Sequence, residues 1–152
     1  RTGGLADAAA RQALITHALA VLDDPAHAAL FGPDALTEAP IAAVVEGQVI
    51  AGTVDRLLVT ERVVHVVDFK TGRQVPAGVE ALPLAHVRQM AAYRAALGEI
   101  FPEREIRVSL LYTAGPRLID LPEALLATHK PRLGAGEHIL SLAGLETGGP
   151  AD

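Results

Sequence analysis

The sequence predicts an α/β domain built on a small mixed β-sheet flanked by helices. Three observations carry this. Val49 to Val59 and Val63 to Phe69 are dense in Val, Leu, Ile and Thr and are separated only by Thr60-Glu61-Arg62, as two long paired strands would be. Helical patterns lie on either side of that pair, at Leu5 to Leu22 and Leu84 to Ile100. A further apolar strand, Ile106 to Thr113, follows the second helix, and helices alternating with strands in this order pack as layers on one sheet.

The elements follow in chain order. Leu5 to Leu22 is rich in Ala and free of Gly and Pro, with Leu14, Ala18, Val21 and Leu22 near helical spacing. Asp23-Asp24-Pro25 stops it, and a second short helix runs to Leu30 before Phe31-Gly32-Pro33. Ala39 to Val45 opens a β-hairpin whose turn is Glu46-Gly47, and the paired strands follow. Thr71 to Pro83 holds Gly72, Pro76, Gly78 and Pro83 and reads as a loop. In the helix Leu84 to Ile100, Val87, Met90, Ala91, Leu97 and Ile100 are apolar, with His86, Arg88, Arg94 and Glu99 scattered opposite. After Ile106 to Thr113 come a short fifth strand, Arg117 to Leu121, and a last helix from Pro122 to about His129.

Composition bounds the function. The 152 residues are enough for one domain with a substantial core, and aliphatic residues and Ala must fill it, since there are three Phe, two Tyr and no Trp. The absence of Cys excludes a disulfide framework, a Cys nucleophile, a zinc ribbon and an iron-sulfur cluster. No apolar run reaches the roughly 20 residues of a membrane span, so the chain is expected to be cytoplasmic with no membrane partner. A formal charge of −5 has the wrong sign for a module that grips DNA by phosphate neutralisation alone. It suits a site that collects divalent cations. The six histidines share no metal-ligand spacing and are expected at the surface or at helix ends.

Strand geometry brings the chemistry together. Asp68 and Lys70 are two apart and leave the same face of their strand, with Val64 and Val66 as companions, while Val63, His65, Val67 and Phe69 face the other way. A carboxylate and an ammonium at the end of an apolar strand are unfavourable to bury unless paired or bound to a ligand. Asp55 is about as far from the Thr60-Glu61-Arg62 turn as Asp68, so the two carboxylates are expected nearly opposite each other. Such a pair repels unless a cation or a proton intervenes. Hard oxygen ligands with room for water describe a Mg2+ or Mn2+ site. The reaction this supports is metal-assisted phosphodiester hydrolysis, with Lys70 orienting water or stabilising charge on phosphorus. Gln89 and Tyr93, at i and i+4, share a helix face and are placed to hold a DNA phosphate or position Lys70, and Arg73 is a second candidate for a phosphate.

Three segments read together carry a family likeness: Gly52-Thr53-Val54-Asp55-Arg56, Asp68-Phe69-Lys70-Thr71 and Gln89-Met90-Ala91-Ala92-Tyr93. They resemble the GxxDR, DxKT and QxxxY motifs of the RecB-type branch of the PD-(D/E)XK nucleases, above all the nuclease domains of the AddA-type helicase-nucleases, over about Ala26 to Leu126. The resemblance implies a restriction-endonuclease-like core and a Mg2+-dependent DNA exonuclease acting in double-strand-break repair and recombination. It implies Asp55, Asp68, the Phe69 main-chain carbonyl and Glu38, just before the first strand, as metal ligands. Lys70 is then the catalytic lysine, completed by Gln89 and Tyr93. It further implies DNA, an ATP-dependent helicase region of the same longer chain and an AddB-like second subunit as partners. On this reading residues 1–152 are one nuclease domain, with N-terminal helices over 1–33, a catalytic core over 37–130 and a flexible tail over 142–152.

One departure stands out. The branch carries a GxxxH histidine on an upstream helix, and the nearest match here, Ala13-Leu14-Ile15-Thr16-His17, lacks the Gly, so that histidine is expected before Arg1. A fragment without it could be a catalytically silent nuclease fold kept for partner docking. A stand-alone RecB-type nuclease with an iron-sulfur cluster is disfavoured by the missing cysteines.

Overall fold

The computed structural model describes residues 4–22, 25–129 and, for the backbone, 139–141. Helix α1 (Gly4–Leu22) leads through a 3-10 helix (Pro25–Phe31) into β1 (Leu36–Val45), β2 (Gln48–Val59) and β3 (Val63–Lys70). A loop with a 3-10 turn (Val79–Ala81) precedes α2 (Leu84–Ile100), followed by β4 (Glu105–Tyr112), β5 (Arg117–Asp120), α3 (Glu123–Thr128) and β6 (Ile139–Ser141). The sheet order is β1-β2-β3-β4-β5, with β6 paired to β2 off that path. β1, β2 and β3 form an antiparallel meander. α2 then crosses over so that β4 lies parallel to β3, and β5 returns antiparallel. This is the mixed sheet flanked by helices that the element order predicts.

Local chemistry explains the connections. Glu46 and Gly47 both adopt positive φ, 48° and 82°, as a two-residue hairpin turn compatible with strand twist requires. Between β2 and β3 the Thr60 hydroxyl accepts from the Val63 amide at 3.1 Å, and the Thr60 amide donates to the Val63 carbonyl at 2.9 Å. Pro83 is the residue before α2, where a missing amide proton costs nothing.

Alternation along β3 divides the core in two. Val64 and Val66 join Val54, Leu57, Met90, Tyr93, Leu97 and Leu110 in the larger cluster under α2 and α3. Val67 and Phe69 join Ile15, Leu30 and Leu111 in a smaller one under α1 and the 3-10 helix. Helices therefore cover both faces of the sheet.

Several expectations need correction. α1 buries Ile15 and Ala18, while Leu14 is exposed; Ala on nearly every side of this helix leaves its hydrophobic pattern ambiguous. β1 begins at Leu36, so Glu38 lies inside the strand and not before it. His65 and His86 are buried, because each finds a hydroxyl partner, Ser109 and Tyr112 respectively. β6 was not anticipated: three residues are too short a run to register as a strand in sequence. The tail over 142–152 lies outside the described residues. Among the described residues no helix is long and apolar enough to cross a membrane.

Candidate active site

The β2–β3 ladder runs from Val59 opposite Val64 to Arg56 opposite Val67. Asp55 and Asp68 would come next, but they are not paired, and there backbone pairing gives way to a side chain. The Phe69 amide donates to Oδ2 of Asp55 at 2.7 Å, a short charge-assisted bond. A carboxylate that accepts a strand amide stands in the gap between the strands. In extended backbone the N–H and C=O of one residue point to the same side, so the Phe69 carbonyl faces this gap too. The Lys70 carbonyl faces the other way, toward β4, where the Thr113 amide meets it at 3.0 Å.

The β1–β2 ladder opens at the same level. Thr37 faces Arg56 and Ala39 faces Val54, but the pair between them, Glu38 with Asp55, is missing. Glu38 has φ of 48°, a left-handed conformation that costs a non-glycine residue about 1–2 kcal/mol. Strain of this kind persists where surrounding structure enforces it, and it clusters at functional sites. Glu38 is exposed, and Asp55 stands where both ladders part.

Asp68 and Lys70 leave β3 on the α2 side and are almost fully buried, at 1% and 4% exposure. The Lys70 ammonium lies 3.3 Å from Oδ2 of Asp68 and donates to Oε1 of Gln89 at 2.8 Å. Buried charges are costly unless paired and hydrogen-bonded, and the Lys70 ammonium has both, an ion pair with Asp68 and a hydrogen bond to Gln89. An ammonium can only donate, so the Gln89 atom meeting it is the oxygen and the amide nitrogen turns away. That nitrogen is buried without a hydrogen-bond partner among the described residues. Buried donors left unsatisfied are few in native proteins, and one beside a Lys-Asp pair is placed to meet an oxygen of a ligand.

One turn along α2, the Tyr93 hydroxyl donates to the Thr53 carbonyl at 3.1 Å. Gln89 and Tyr93 share a face, as their spacing predicts, but act on different strands: Gln89 holds Lys70 of β3, and Tyr93 holds the β2 backbone two residues before Asp55. Arg73 is exposed in the loop after β3.

Two contacts escape sequence reasoning. His86 bonds the Tyr112 hydroxyl at 2.8 Å, and Tyr112 is the residue paired with Lys70 in the parallel β3–β4 register. Arg11 of α1 donates to Oδ1 of Asp55 at 3.2 Å. A signal for Arg11 existed, since it is the sole Lys or Arg in α1 and stands one turn before the buried Ile15.

Among the described residues no group of three or more His, Cys, Asp or Glu could hold a metal ion. The site offers two carboxylates just past the end of the β2–β3 ladder and one backbone carbonyl, all oxygen donors. That set fits a hard divalent cation that keeps several waters, as Mg2+ does.

The family model of the PD-(D/E)XK nuclease superfamily matches residues 5–135. The chain belongs to this superfamily. Asp55, Asp68, Lys70 and Gln89 all lie within the matched span, and the mixed sheet with helices on both faces is the PD-(D/E)XK fold. Membership makes nuclease activity the general expectation, with DNA as substrate; PD-(D/E)XK nucleases generally use divalent ions such as Mg2+. The crystal structure of SSO0001 is similar over 62% of this chain at 20% identity, with a TM-score of 0.39, and the chain spans 46% of its length. No curated protein matches the chain.

Proposed function

We propose that this PD-(D/E)XK domain is a Mg2+-dependent DNA exonuclease of the RecB type, the nuclease part of an AddA-like helicase-nuclease acting in double-strand-break repair and recombination. The observation that supports this reading is the buried Asp68–Lys70–Gln89 cluster at the end of β3, next to the Phe69 amide that the Asp55 carboxylate accepts. Asp55, Asp68 and the Phe69 carbonyl are the assigned metal ligands, with Glu38 as a further acidic group at the same level. When bound, Mg2+ supplies Lewis-acid charge at the phosphoryl oxygens and helps ionise water. Lys70, held by Asp68 and Gln89, orients the attacking water and meets the negative charge that grows on the phosphoryl group. The Gln89 amide nitrogen and Arg73 hold phosphate oxygens. Water adds to phosphorus, the bond to one sugar oxygen breaks, and the proton passes to that oxygen. A helicase region of the same chain and an AddB-like subunit are the partners this reading implies.

The test is degradation of end-labelled single-stranded DNA in Mg2+. Lys70→Ala is expected to reduce the rate by about 10²- to 10³-fold, the usual loss when one charge-stabilising donor is removed. A Lys70→Ala protein that keeps its circular dichroism and cuts as fast as its parent refutes the assignment. One observation favours a second reading, a silent fold kept for docking: Arg11 already engages Asp55. Failure of Mn2+ to bind at all, measured by calorimetry, would select that reading.

A further inference from the structure

The sole arginine of α1 is directed at Asp55. The face that anchors the helix through Ile15 carries the Arg11 guanidinium to Oδ1 of Asp55, and the same guanidinium lies 5.8 Å from the centre of the Phe69 ring. Arg56 approaches that ring at 5.4 Å, and its own guanidinium donates to the Asp55 main-chain carbonyl at 3.2 Å. Two guanidinium groups thus border Asp55, and Arg11 is the one that holds its carboxylate. The Arg11 side chain is 41% exposed while that of Asp55 is 16%, so Arg11 meets the carboxylate from the solvent side, where water weakens an ion pair.

A guanidinium and a divalent cation on one carboxylate repel each other strongly. Resting on the reading of Asp55 as a metal ligand, we infer that Arg11 is an exchange cation. It neutralises Asp55 while no metal is present and yields Oδ1 when the ion arrives. Beside Arg56 it then takes a phosphate of the DNA strand, for which the planar guanidinium fork is suited. The site stays neutralised at each stage, because the metal that displaces Arg11 and the phosphate that receives it carry opposite charges.

Two measurements on uncleaved material test this. Mn2+ affinity is read from the electron paramagnetic resonance of the free ion without DNA. DNA affinity is read from the anisotropy of a fluorescein-labelled single-stranded oligonucleotide, with Ca2+ in place of Mg2+. Arg11→Gln is expected to bind Mn2+ about two- to fivefold tighter, the worth of a half-exposed ion pair. It is expected to bind the oligonucleotide more weakly, with a salt dependence shallower by about 0.7 on log axes, one phosphate contact on a single strand. Arg11→Lys, which keeps the charge but not the planar fork, stays near the parent in Mn2+ affinity and salt dependence and falls between the parent and Arg11→Gln in oligonucleotide affinity. Weakening of both affinities means that Arg11 only anchors α1, and a change in neither, or in one alone, removes the exchange; each of these outcomes overturns the inference. Asp55→Asn separates the underlying reading. If it leaves Mn2+ affinity intact, the metal site is misplaced; if it weakens Mn2+ binding while Arg11→Gln does not tighten it, only the role of Arg11 falls.

Discussion

Tyr93 touches the backbone that carries Asp55, through its 3.1 Å bond to the Thr53 carbonyl, and this contact separates it from Gln89 in what its loss should do. Tyr93→Phe removes one part-buried hydrogen bond, worth about 1 kcal/mol. For a chain of this length that is a drop of roughly 2–4 °C in melting temperature, and cleavage should fall by less than tenfold as β2 loosens. A loss near 10³-fold at unchanged stability would instead put the phenol against the reacting atoms. Residue types and spacing made the pairing of Asp68 with Lys70 legible, because a strand alternates. They could not reveal that Asp55 stands between the strands with its oxygens on the Phe69 amide and Arg11, since both partners depend on how the ladder ends.

The β1–β2 hairpin contains two non-glycine residues at positive φ, Glu38 and Glu46, each at 48°. Only Glu38 lies at the level of Asp55. Glu46 sits in a two-residue turn where Asn-Gly is the favoured pair, so Glu46→Asn should stabilise the hairpin by about 0.5–1 kcal/mol with cleavage unchanged. Glu38→Gly should stabilise by a similar amount, since glycine tolerates the left-handed region, but should also slow cleavage if Glu38 serves the metal. Paired denaturation and cleavage assays check both; two stabilised proteins with equal parental activity would assign the Glu38 strain to the hairpin alone. Hairpin, β3, α2 and β4 were all visible in sequence because β-branched runs, Glu46-Gly47 and the Pro-rich loop punctuate them. The inward face of α1 was not, since Ala on most of its circumference fits any orientation.

At the scale of the whole molecule the two cores are unequal. α2 and α3 close a large cluster that spans every strand from β1 to β5, whereas α1 is held by Ile15 against Val67, Phe69 and Leu111 together with the Arg11–Asp55 pair. Local stability follows buried apolar contact, so α1 should open as a unit while the sheet and α2 stay closed. Hydrogen exchange is expected to show the amides of α1 protected less than those of β3 and α2. Ile15→Ala should speed exchange in α1 selectively, because it removes the main apolar anchor of that helix and leaves the larger cluster intact. Exchange that accelerates equally in α1, β3 and α2 would mean the two cores unfold as one. The consequence reaches the site, since α1 carries the only side chain seen on Oδ1 of Asp55 among the described residues: each opening of the helix lifts Arg11 away and leaves that oxygen to whatever cation is nearest.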